Sequence, residues 1–62
     1  MKMYLIFQNG SKGECEILKE TKKYITFRCK GNLMKYRYNK ETKEVQDGTY
    51  NSKIDRMHIV FE

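Results

Sequence analysis

Apolar and polar residues alternate along most of the chain, and the alternation breaks at three turn signals: Asn9-Gly10, Gly31-Asn32 and Asp47-Gly48. The first run, Met3–Phe7, is nearly all apolar and reads as a strand buried on both faces. The second, Glu14–Lys19, sets Cys15 and Ile17 against Glu14 and Glu16. In the third, Lys23–Lys30, Ile25, Phe27 and Cys29 point one way and Tyr24, Thr26, Arg28 and Lys30 the other. The fourth, Leu33–Asn39, sets Met34, Tyr36 and Tyr38 against Leu33, Lys35 and Arg37.

A two-residue turn at Gly31-Asn32 sets Lys30 opposite Leu33. The pairs then run Cys29–Met34, Arg28–Lys35, Phe27–Tyr36, Thr26–Arg37 and Ile25–Tyr38. The two apolar faces coincide in this register, and a slip of one residue would set every pair on opposite faces.

The fourth run leads into Tyr38-Asn39-Lys40-Glu41-Thr42-Lys43-Glu44-Val45. These eight residues resemble the second hairpin of the streptococcal protein G immunoglobulin-binding domains, in turn chemistry alone. The resemblance implies a hairpin, not antibody binding. Asn39 would bond its own loop, and the residue after Thr42 would take a left-handed conformation. Tyr38 then faces Val45, Arg37 faces Gln46 and Tyr36 faces Asp47. At Asp47-Gly48 a strand end or bulge competes with a tight turn, and the first is preferred.

The segment 51–62 supports two readings. Ser52 and Asp55 resemble a capping box, and Ile54, Met57, His58 and Phe61 have helical spacing; Met57, Ile59 and Phe61 also alternate. The expectation is a short helical turn near 52–55 followed by a strand from about Arg56 to Phe61. The fold class is therefore all-β. A small antiparallel sheet of five or six short strands would form one domain over 1–62, as a partly open SH3-like or OB-like barrel or as a sheet that dimerises.

Composition agrees with this class. The 62 residues include five Tyr and three Phe but no Ala, the best helix former. A chain this short buries only about 60% of its unfolded surface, so an unpaired sheet edge would invite a homodimer. The apolar start, Met1–Phe7, is too short for a signal segment or a membrane span. Cys15 and Cys29 form no CxxC and lie in apolar-patterned strands. They read as free, small hydrophobes in a reducing, cytoplasmic compartment, with a Cys15–Cys29 disulfide open only if their strands are neighbours.

The chemistry of catalysis is thin. His58 is the only histidine, and no Ser or Cys has a base partner by sequence. Cys15, Cys29 and His58 lack metal-ligand spacing, and Gly10-Ser11-Lys12-Gly13 is no phosphate-binding loop. Glu14 and Glu16 on one strand face read as solvated acids. Neither an enzyme nor a cofactor or metal is expected.

Charge points to binding. Thirteen basic against eight acidic residues leave a net charge of +5, which favours nucleic acid or an acidic protein surface as partner. The derived register collects Arg28, Lys30, Lys35 and Arg37 on one outward face beside Tyr24 and Leu33. Arg28 would lie directly across from Lys35, a destabilising pair that an anion would relieve. Lys and Arg would neutralise phosphates while Tyr24 stacks on a base. Against this, Lys also keeps small β proteins soluble, and Glu14 and Glu16 would neutralise the patch if their strand lies alongside. The aromatic signatures of RRM and cold-shock domains are absent. The alternative is a small inhibitor or adaptor of the kind phages and mobile elements encode, binding a host protein through Leu33, Tyr50 and Phe61.

Overall fold

Each alternating run becomes a strand in the computed structural model, which describes residues 1–62. The strands are β1 (Met3–Ile6), β2 (Lys12–Glu20), β3 (Tyr24–Cys29), β4 (Lys35–Asn39), β5 (Glu44–Asp47) and β6 (His58–Phe61). They form one antiparallel sheet in the order β5-β4-β3-β2-β1-β6, with no helix. The all-β class holds, as a curled half-barrel of the small SH3-like or OB-like kind. No helix is long and apolar enough to cross a membrane.

The curl comes from β2. Its first residues, Lys12–Glu14, pair with β1, while Cys15–Glu20 pair with β3, so this nine-residue strand belongs to both halves of the sheet. A bulge between Ile17 and Lys19 bends it. The inner face buries Met3, Leu5, Cys15, Ile25, Phe27, Cys29, Tyr36, Tyr38 and Val45. Phe27 stacks on Tyr36 at 5.6 Å between ring centres, and Ile54, Met57 and Ile59 close the core from the chain's end.

The β3–β4 register is the one derived, from Ile25 opposite Tyr38 to Arg28 opposite Lys35. The turn is not. Lys30 N–H stays with β2, donating to Glu14 O, and Asn32 N–H turns back to Cys29 O, with Gly31 at φ 82°. The chain therefore leaves the ladder at Cys29 and rejoins it at Lys35. Lys30 does not face Leu33, and Met34 lies partly exposed rather than on the buried face.

The β4–β5 hairpin has the expected pairs, Tyr38 with Val45, Arg37 with Gln46 and Tyr36 with Asp47. Asn39 Oδ1 accepts from the Glu41 and Thr42 N–H groups, and Lys43 follows at φ 62°. β5 ends at Asp47, whose Oδ1 accepts from the Thr49 and Tyr50 N–H groups.

Two further expectations fail. β1 is buried on one face only: Met3 and Leu5 are inside, while Tyr4 and Ile6 are half-covered on the outer face. The helical turn at 52–55 is absent because β5 uses that backbone. Asp47 N–H donates to Ser52 O, Ile54 N–H donates to Val45 O, and Lys53 bridges Gln46. Left-handed Asn51 and Arg56 bound this extended stretch.

Candidate anion-binding face

The outer face of β2, β3 and β4 carries the residues expected to bind an anion. Row by row, Glu16 lies opposite Arg28 and Arg28 opposite Lys35; in the next row, Lys19 lies opposite Thr26 and Thr26 opposite Arg37. Adjacent strands lie about 4.8 Å apart, so alternate strands hold charges roughly 10 Å apart.

The four expected cations do not form one open patch. Arg28 donates to Glu16 Oε1 from both Nε and Nη2, at 3.2 and 2.8 Å. Lys30 reaches Glu14 at 2.9 Å, and this bond holds the Glu14 carboxyl below its usual range and the Lys30 ammonium above its own. Arg28 and Lys35 therefore do not confront one another without a nearby acid, because Glu16 flanks Arg28 in the same row. Such exposed pairs add little stability because water screens them, yet they lower the field an anion would meet.

Lys35 and Arg37 remain uncommitted. Arg37 lies over the Tyr24 ring, with its guanidinium carbon 3.6 Å from the ring centre. Its Nε is buried without a hydrogen-bond partner, as is Oε1 of Gln46, the residue directly across from it. The ring alone anchors this guanidinium, and no carboxylate competes for it.

Internal pairing sorts the remaining charge. Lys12, Arg28, Lys30, Lys40 and Lys53 are paired with Glu62, Glu16, Glu14, Glu20 and Glu44. Eight of the thirteen cations are then left against three acids, Glu41, Asp47 and Asp55. Of these eight, Lys19, Lys35 and Arg37 lie on the outer face of β2–β4, and Lys22 and Lys23 form the β2–β3 turn at its end.

Lys19, Lys22 and Lys23 were not among the expected residues. By strict alternation Lys19 shares the inner face with Cys15 and Ile17; the bulge moves it to the outer face, opposite Thr26. A Lys at an apolar position was the signal for that bulge.

The three residues expected to anchor a protein partner do not cluster as a set. Leu33 and Tyr50 are 88% and 80% exposed. They lie at one end of the sheet, where Gly48 N–H donates to Lys35 O. Phe61 is 47% exposed and belongs to the inner face, edge-on to Tyr38 at 6.2 Å. Cys15 and Cys29 are directly opposed, buried and free. Burial pushes the Cys15 thiol up to about 12 and raises that of Cys29. No three His, Cys, Asp or Glu side chains converge as metal ligands do.

No protein-family model, curated protein or solved structure matches this chain.

Proposed function

We propose that the protein is a non-enzymatic binding module that contacts a nucleic-acid backbone through the outer face of β2–β4. The observation carrying this reading is the Arg37 guanidinium, laid on Tyr24 and free of any carboxylate. A stacked guanidinium is held in place before a ligand arrives, so little side-chain entropy is lost on binding. The guanidinium, half-buried and bonded to no carboxylate, suits a phosphate. Lys19 and Lys35 flank it, and Lys22 and Lys23 extend the positive field beyond the turn. The contacts go to the backbone, so binding is insensitive to sequence.

Fluorescence anisotropy with labelled single- and double-stranded oligonucleotides of unrelated sequence tests the proposal. With about four phosphates neutralised, log K should fall against log salt with a slope of roughly −3 to −4 on duplex. Absence of binding at low salt refutes it.

A second reading is favoured by Leu33, Met34 and Tyr50, apolar groups exposed around one end of the sheet. An inhibitor or adaptor would set these against a host protein, with acidic groups of that partner meeting Lys35 beside them. A nuclease-resistant, stoichiometric protein partner lost on Tyr50→Ser substitution would select this reading.

A further inference from the structure

The two ends of the curled sheet are not alike. The outward edge of β5 is covered by the extended 51–54 stretch through the Gln46–Lys53 bridge and the Ile54 N–H to Val45 O bond. The outward edge of β6 has no hydrogen-bonded neighbour, since β6 ends the sheet order and pairs with β1 alone, although the curl of the sheet brings part of β5 near it. Natural edges are blunted with Lys, Pro or bulges, and His58-Ile59-Val60-Phe61 contains none of these.

The backbone phase of this edge is determined. Lys2 and Glu62 exchange both N–H to O bonds, so Glu62, and by alternation Val60 and His58, turn their polar groups toward β1. Ile59 and Phe61 turn theirs outward, away from the sheet.

We infer that β6 is a homodimer edge, pairing antiparallel with β6 of a second copy about a two-fold axis through Val60. This register alone matches the whole strand. Ile59 lies opposite Phe61 of the second copy, and the reverse, which joins the outward backbone groups in about four hydrogen bonds. Val60 meets its own copy on the outer face. His58 lies opposite Glu62 of the second copy, placing an imidazole donor against a carboxylate that Lys12 already holds at 2.6 Å. Shifting the axis by one residue either way pairs Val60 with His58 or with Glu62 and loses that complementarity. Phe61, left half-exposed in the single chain, gains Ile59 of the second copy beside it on the inner face. The result is a continuous twelve-stranded sheet, twice the six strands of one chain. A strand of four residues offers little area beside the roughly 1,000 Å² of a stable interface, so the dimer should be concentration-dependent.

Sedimentation equilibrium of the full chain over a wide concentration range tests this, with two variants. The wild type should approach twice the chain mass as concentration rises. Val60→Lys, which sets two ammonium groups face to face at the axis, should raise the dimer dissociation constant by tenfold or more, on the order expected for like charges in contact, while circular dichroism stays unchanged. Val60→Cys should form a disulfide-linked dimer under mild oxidation by glutathione disulfide, where the wild type does not, because residues opposed at a non-hydrogen-bonded site approach closely. A monomeric wild type at every concentration overturns the inference. So does a dimer that Val60→Lys leaves intact, or a Val60→Cys chain that does not crosslink. Oligonucleotide binding is a separate readout, so loss of either proposal leaves the other standing.

Discussion

Arg37 and Tyr24 stack across the β3–β4 ladder with the guanidinium 3.6 Å above the ring, whereas Arg28, one pair further along the same face, is taken by Glu16. Two arginines on alternate rows thus have opposite availability. The difference arises from β2, which offers a carboxylate opposite Arg28 and, past its bulge, an ammonium in the row of Arg37.

That contrast predicts substitutions of opposite sign. Arg37→Gln should weaken oligonucleotide binding and reduce the salt slope by about one. Glu16→Gln frees Arg28 and removes a repelling charge, so it should tighten binding while costing less than about 1 kcal/mol of stability, the pair being exposed. Anisotropy titrations of the two variants in one buffer provide the check; equal or reversed effects contradict the assignment.

Gly48 leaves β5 over the backbone of β4. A Cβ at this position would lie 2.9 Å from Lys35 Cβ and 3.0 Å from Lys35 C, atoms that cannot swing aside. Gly48→Ala should therefore destabilise the fold by roughly 1–3 kcal/mol through overpacking. Urea unfolding followed by tyrosine fluorescence would show a lower midpoint at unchanged slope.

The register of β3 against β4 and of β4 against β5 was readable from sequence because each strand has one buried face, so any slip would put polar residues inside. The Asn39 loop was readable because its side chain bonds its own backbone, a local effect that needs no distant contact. The Gly31-Asn32 turn and the 52–55 segment were not, because in both a neighbouring strand takes the hydrogen bonds that local signals assign to a turn. Lys30 N–H goes to Glu14, and Ile54 N–H goes to Val45. The candidate site suffered from the same cause. Strand neighbours decide which cations meet carboxylates, and sequence could not rank Glu16 beside Arg28 above solvent. The bulge that delivers Lys19 was signalled only by a charge at an apolar phase.

Lys43 closes the β4–β5 turn at φ 62°, in a region where a side chain is strained. Its N–H donates to Asn39 O at 2.7 Å, a bond that a glycine would keep. Lys43→Gly should accordingly stabilise the hairpin, by up to about 1 kcal/mol after the entropy of the freer unfolded chain is offset. A raised thermal midpoint is the expected result, and a fall would mean that the Lys43 side chain contributes packing.

The opposed thiols make stability fall on the alkaline side. Cys15 keeps its proton up to about 12 in the fold, because burial among apolar side chains disfavours the thiolate, while in the unfolded chain it ionises near 9.0. Between these values the unfolded chain has fewer bound protons, so stability that is complete below about 9 drains away as pH rises toward 12. Cys29, raised in the same direction by burial, adds to the loss. Lys30 and Lys53, held above their ordinary range by Glu14 and Glu44, act in the same sense at the upper end of the window. The partner carboxylates act at acid pH, where the stability they provide is lost as pH falls below about 4.5. Chemical denaturation at stepped pH should thus show a plateau near neutrality and a decline beginning near pH 9. A Cys15→Ala variant, less stable throughout, should decline less steeply from that point. Native thiols should also resist iodoacetamide at pH 8 and react quickly in urea. Alkylation of the native protein at the rate of a free thiol would show that the β2–β3 core opens far more readily than its packing implies.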